Sequence, residues 1–311
     1  MTLTVEQKAQ RAKGISASEV AVVCGISPYG GQWSLWAVKH GLLAVEESEE
    51  MAIGHLIEPV VAAVYQRRNP GFVLTESLTL AHPTEPWALA TPDRIVTCPD
   101  GSVHLLECKS GGPQAAKQWG TGDDEIPVHY LLQVQWQLYV TGLTRCDVGG
   151  YVGGEMRFHR IERNDAIIAA LVAKCRAWWE RHVRDGEEPG LDAILSTGEA
   201  LAMVYPEATG PLRDASADEE EILIEYLAAV DRRKVAEDDV ALCANRLKAA
   251  IADDEGIAGG KARATWKAPK GVTTQWKAVA EAMNAPPEVI AAHSTPYGRR
   301  LDVRATKEKT R

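Results

Sequence analysis

Residues 94–109 read RIVTCPDGSVHLLECK, and the fold class follows from this stretch. Two runs with strand character, RIVT and VHLLECK, flank Pro99-Asp100-Gly101, three residue types that turn a chain. A three-residue hairpin loop with glycine in the left-handed position pairs Cys98 with Ser102. Counting outward along both strands then sets Asp93 opposite Glu107. Directly opposed residues of an antiparallel pair hold their Cβ atoms about 4.5–5.5 Å apart. Two carboxylates so placed repel each other unless a shared divalent cation turns the repulsion into chelation. Lys109 lies two residues beyond Glu107, and strand alternation puts both on one face. Leu105 and Leu106 mark the strand as buried. That argues against a solvated surface Glu–Lys pair, which would contribute under about 1 kcal/mol.

Asp93 with Glu107-x-Lys109 therefore supplies two metal ligands and a neighbouring cation. A lysine in that position can orient or deprotonate an attacking water, or stabilise charge developing on phosphorus. An adjacent metal cation or desolvation would lower its pKa. The surrounding sequence supplies an α/β frame. FVLTESLTL (72–80) and WALATPDRIVT (87–97) are β-rich, and ISASEVAVVCG (15–25) and WSLWAVKHG (33–41) read as short helices. MAIGHLIEPVVAAVYQRR (51–68) reads as a longer helix that Pro59 must kink or start anew. On it Glu58 shares a face with Gly54, Val61 and Tyr65, where a carboxylate needs a partner. VHYLLQVQWQLYVTG (128–142) is helical, with Tyr130, Gln133 and Gln137 on one face; by pattern alone that face is the solvated one. CDVGGYVGG (146–154) and MRFHRIE (156–162) suggest a hairpin, followed by a helix over 164–186 capped by Asn164 or Asp165.

With 311 residues, 45% of them hydrophobic and 25% charged, the chain is long enough for one large domain or two. The opening MTLTVEQKAQRAK lacks the apolar run of a signal peptide, and no stretch approaches the ~18–20 apolar residues of a membrane span, so the expected location is the cytosol. Six cysteines without a CxxC pair argue against structural zinc or an iron–sulfur cluster and for reduced, mostly buried thiols. The net charge of −9 is unevenly spread: residues 185–220 alone carry −9, whereas residues 261–311 carry +7. The expected layout is a catalytic domain over 1–184, an acidic linker over 185–215 and a helical, then basic, extension over 216–311. In the extension Lys261, Arg263, Lys267, Lys270 and Lys277 interleave with Trp266 and Trp276, a composition suited to DNA strands, although a solvated module with core tryptophans has the same composition.

Five motifs in fixed order carry a resemblance. They are R-x6-SEV (Arg11 to Val20), GHLIEP (54–59), TPD (91–93), ECK (107–109) and YLLQVQWQLYVTG (130–142). Over roughly residues 8–184 the chain resembles the YqaJ-like viral recombinase family, to which phage lambda-type exonucleases belong. The resemblance implies a PD-(D/E)XK, restriction-endonuclease-like core: a mixed central sheet flanked by helices. It implies that Asp93, Glu107, the Cys108 carbonyl and Glu58 bind Mg2+ or Mn2+, two ions per site, that Lys109 is catalytic and that Gln133 supports the site. Arg11 and Ser18 resemble the pair that holds a 5′ phosphate, a role that suits a guanidinium and a helix start. Thr91 stands where the family often has serine and keeps the hydroxyl. The implied activity is 5′-to-3′ digestion of linear duplex DNA, with a ring-shaped, typically trimeric assembly and a single-strand annealing protein as partner. Two other readings remain: a repair or CRISPR-associated nuclease of the same superfamily, many of which carry a four-cysteine cluster absent here, and a catalytically silent DNA-binding scaffold.

Overall fold

The computed structural model describes residues 13–44, 48–122, 124–259 and 262–267, together with 283, 284, 286, 288 and 289. The chain divides into two compact units, Met1–Tyr205 and Pro206–Arg311. The first begins with strand β1 (Ile15–Ser16), a 3-10 turn (Ala17–Glu19) and helices α1 (Val20–Val23), α2 (Gln32–Lys39) and α3 (Glu49–Arg68). Strands β2 (Val73–Glu76), β3 (Leu80–Ala81), β4 (Ala88–Ala90), β5 (Arg94–Thr97) and β6 (Val103–Gly111) follow. Then come α4 (Pro113–Ala116), α5 (Val128–Thr141), β7 (Arg145–Val152), β8 (Glu155–Glu162), α6 (Asp165–Trp178) with a π-helical continuation (Trp179–Arg184), and α7 (Leu195–Val204). The second unit holds α8 (Ala217–Ile251) and the strands β9 (Gly256–Ala258) and β10 (Arg263–Thr265).

The central sheet has the order β2-β5-β6-β7-β8. Only the β6–β7 step is parallel; the others are antiparallel. A parallel step needs a crossover, and the segment carrying α4 and α5 supplies it. The β5–β6 register sets Arg94 opposite Leu106 and Thr97 opposite Val103. The Cys98 N–H donates to the Ser102 carbonyl at 2.8 Å, and Gly101 adopts φ +84°. This is the turn and register read from residues 94–109. Leu105 packs on one side of the sheet with Val134 and Leu138 of α5, while Leu106 and Cys108 pack on the other with Val61, Ala62 and Tyr65 of α3. A smaller sheet, β1-β4-β3, closes the unit beside α1 and α6.

One open alternative is decided and two expectations change. Helix α3 runs from its Ser48 cap through Pro59 to Arg68 without a restart. The proline forfeits one backbone hydrogen bond, but the buried Val61, Ala62 and Tyr65 tie the second half to the sheet. Ile15–Ser16 is a strand pairing parallel with β4 rather than the start of a helix. The stretch expected as a linker belongs largely to the first unit: Ala200 of α7 packs against Trp33 and Ala37. Its acidic residues serve as acceptors, with the Trp33 indole donating to Glu188 at 2.5 Å and the Thr197 hydroxyl to Asp192 at 2.6 Å. The boundary therefore falls after Tyr205 instead of before Asp185. In the second unit α8 opens on a capping box of Ser216 and Glu219, and β9 and β10 pair antiparallel.

Candidate active site

The site lies on the sheet face covered by α5. Lys109 Nζ donates to Glu107 Oε1 at 2.6 Å and to Gln133 Oε1 at 3.1 Å. Gln133 Nε2 donates to the same Glu107 oxygen at 2.6 Å, and Gln137 Nε2 to Glu107 Oε2 at 2.8 Å. Glu107, 3% exposed, is thus held at both oxygens. Asp93 Oδ2 accepts from the Cys108 N–H at 2.7 Å, which fixes it across from Glu107. The Lys109 ammonium also sits over the Tyr130 ring, 4.8 Å from its centroid. Opposite Lys109 in the register stands Gly150. A Cβ there would come within 2.8 Å of the Trp119 ring, so the glycine makes room for an indole that packs on Tyr130.

The electrostatics follow from this crowding. Loss of water contact raises the Asp93 carboxyl well above the ordinary carboxylate range; the Glu107 and Glu58 charges act in the same sense, and Lys109 opposes them. For Lys109, burial favours the neutral amine, but Glu107 and Asp93 outweigh it and hold the group protonated beyond its usual value. Burial likewise keeps the Tyr130 phenol neutral, against the pull of Lys109.

Glu58 sits on the neighbouring helix and receives Arg94 Nη1 at 2.7 Å. The same nitrogen donates to the Asp93 carbonyl at 2.6 Å. The partner that Glu58 required is therefore Arg94, which also ties α3 to the start of β5. The sequence reading missed Arg94, Gln137 and Tyr130. Gln137 had a signal in its four-residue spacing from Gln133, while nothing in the pattern singled out Arg94.

Oxygen donors at Asp93 and Glu107 suit a hard divalent cation. Such an ion would offset both the burial and the repulsion from Glu107 that raise the Asp93 carboxyl. Among the described residues no cage of three or more His, Cys, Asp or Glu side chains is present. The oxygen donors that could serve there are the Asp93 and Glu107 carboxylates and the Cys108 carbonyl, with Glu58 engaged by Arg94.

The exposed Ser18 lies in the 3-10 turn that packs on α5, within 3.3 Å of the Ser16 hydroxyl. Arg11 lies outside the described residues. In the second unit Arg263 belongs to β10, Trp266 is 54% exposed and Lys267 pairs with Glu255. Lys261, Lys270, Lys277 and Trp276 lie outside the described residues. The described cysteines are all free thiols, three of them buried: Cys108, Cys146 and Cys175. No described helix is long and apolar enough to cross a membrane.

Residues 6–144 match the YqaJ-like viral recombinase domain. Over that stretch the chain is similar to this family. Asp93 and Glu107-x-Lys109 stand on a hairpin of a mixed sheet flanked by helices, the arrangement expected of a PD-(D/E)XK core. A curated relative, the uncharacterized protein YqaJ of Bacillus subtilis (strain 168), is 29% identical over 264 residues, 83% of this chain and 81% of that protein. That span is longer than the first unit, so the likeness runs beyond the YqaJ-like domain into the second. Among solved structures, the alkaline exonuclease of Laribacter hongkongensis in complex with dAMP is 27% identical, covering 58% of this chain and 94% of that one with a TM-score of 0.49. A phage-related exonuclease from Haemophilus somnus is 10% identical, covering 56% of this chain and 96% of that one with a TM-score of 0.42.

Proposed function

We propose that this chain is a divalent-metal-dependent deoxyribonuclease that digests linear duplex DNA from 5′ ends and leaves 3′ single strands for recombination. The observation that carries the reading is the clamped set Asp93, Glu107 and Lys109, with Gln133 and Gln137 gripping both oxygens of Glu107. Such fixation has little purpose in a scaffold that merely binds DNA. Asp93, Glu107 and the Cys108 carbonyl would hold the metal, Mg2+ or Mn2+, with Glu58 shared between it and Arg94. Bound ions of this kind activate water and stabilise the leaving oxygen, and two per site are expected.

The chain's own groups do the positioning. Lys109, fixed by Glu107, Gln133 and the Tyr130 face, aims a positive charge at the place where phosphorane charge develops. Gln133 and Gln137 keep Glu107 in one orientation. Ser18, next to α5, and Arg11 are the proposed holders of the terminal 5′ phosphate. A single-strand annealing protein and a ring-shaped oligomer are the proposed partners.

End-labelled linear duplex and covalently closed circular DNA, each incubated with Mg2+ or EDTA, test the proposal. The expected result is metal-dependent release of nucleotides from the linear form alone, with the 5′ label lost first. Hydrolysis in EDTA would overturn the metal reading. Efficient cutting of closed circles would overturn the exonuclease reading, and binding without hydrolysis under any metal would favour the scaffold.

A further inference from the structure

Helix α8 stands apart from every other long helix described. It spans 35 residues and buries one of them, Ile251. Helices in proteins owe most of their stability to packing of an apolar face, and α8 has such a face. Leu223, Tyr226, Val230, Arg233, Glu237, Val240, Ala244, Leu247 and Ile251 follow one another at alternating spacings of three and four, the seam of a coiled coil. Beside it runs a second line of small or apolar residues at intervals of seven: Ile222, Ala229, Ala236, Cys243 and Ala250. Leu223 and Leu247 are 42% and 43% exposed and Val240 is 69% exposed. The seam is broken only at its middle, by Arg233 and Glu237, which are 3.4 Å apart on the helix.

That break defines the partner. Turning a second copy end for end about the level of Val235 sets Arg233 against the partner's Glu237, and Glu237 against the partner's Arg233. The same operation sets Leu223 against the partner's Leu247, Tyr226 against the partner's Ala244 and Val230 against the partner's Val240. Each layer joins the two alternating kinds of seam position, as antiparallel pairing requires. On one flank Glu220 falls beside the partner's Lys248. On the other, Ala236 meets the partner's Ala236 and Cys243 meets the partner's Ala229, so the backbones can approach closely. Lys234 meets its own copy at the rim, where long side chains reach water. A parallel pair would stack Arg233 on Arg233 and Glu237 on Glu237, two like-charge layers in the middle of the seam. We propose that α8 is a self-association helix that pairs antiparallel with α8 of a second copy, its register set by the Arg233–Glu237 layers. Polar seam residues choose register and orientation at some expense of stability.

The proposal is independent of the nuclease reading. Its test is the particle mass of the full chain by sedimentation, with helix content followed by circular dichroism. Arg233→Glu is expected to halve the mass, whatever assembly the first unit forms, and to keep the helix. The double swap Arg233→Glu with Glu237→Arg is expected to restore the mass. Mixed chains carrying Leu223→Cys and Leu247→Cys should form a disulfide between copies under mild oxidation, because antiparallel pairing sets 223 against the partner's 247, whereas parallel pairing would cross-link each variant with itself. A mass that Arg233→Glu leaves unchanged would overturn self-association through α8. A swap that does not restore the mass, or cross-links within each cysteine variant alone and none between the two, would overturn the antiparallel register.

Discussion

Helices α5 and α8 invert each other. Helix α5, with 14 residues, buries Val134, Gln135, Trp136, Gln137, Leu138 and Val140, and two of its glutamines, Gln133 and Gln137, turn inward to grip a carboxylate. Helix α8, with 35 residues, leaves leucines, valines and a tyrosine in water. Polarity on a helix therefore reports what the face is for, and only secondarily whether it is wet. In α5 the polar face holds the carboxylate of the proposed reaction site, and in α8 the apolar face awaits another helix.

The sharpest way to break this contrast is at the residues that α5 serves. Asp93→Ala and Glu107→Ala should each reduce nucleotide release from linear duplex to background, since each removes half of the carboxylate pair. Hydrolysis at wild-type rate in either variant would mean that the α5 face encloses something other than a reaction site. Lys109→Ala should come next. A roughly 10²–10⁴-fold loss in kcat is expected for a group acting at the transition state, with DNA affinity nearly unchanged in a metal-supplemented binding titration. An equal loss in both would make Lys109 a phosphate clamp.

Gln137→Leu sharpens the contrast directly, because it makes the α5 face obey the simple apolar-inside rule. It leaves one oxygen of a buried carboxylate without its donor. The expected loss is about 10–100-fold in activity, as for other groups that orient metal ligands, with about 1–3 kcal/mol of stability lost in denaturant titration. A more stable and fully active Gln137→Leu protein would refute the role given to that glutamine. Smallest of all, Leu223→Ala on α8 should leave the initial rate of hydrolysis unchanged and the folding stability of the first unit within about 0.5 kcal/mol. A slower enzyme would show that the two units act together in catalysis.

What the sequence disclosed follows the range of the interaction. The Asp93–Glu107 opposition was legible because one short turn, Pro99-Asp100-Gly101, sets it. Gln133 came from resemblance. Gln137 stayed hidden because alternation of polar and apolar residues cannot distinguish a wet face from a face turned toward a charge. Which of the two readings of Pro59 holds, passage or restart, was illegible for a different reason. Packing of Val61, Ala62 and Tyr65 on the sheet overrides a local preference, and no local rule contains that packing. The acidic stretch after Asp185 misled because Glu188 and Asp192 spend their charge on specific donors, Trp33 and Thr197, in place of solvent.

The hairpin has a consequence in time as well as in space. The Asp93–Cys108 bond closes over a separation of 15 residues, whereas the bonds from Gln133 and Gln137 to Glu107 close over 26 and 30 and need the parallel β6–β7 step. Local pairings form early and crossovers late. The carboxylate pair should therefore assemble while the chain is still largely unfolded, and the glutamine clamp should lock only as the sheet completes. In stopped-flow experiments Gly101→Ala, which burdens a turn at φ +84°, should slow refolding, and Gln137→Leu should mainly speed unfolding. The part of the site that attracts cations then precedes the part that disciplines them, and a nascent chain could meet its metal before its fold is finished.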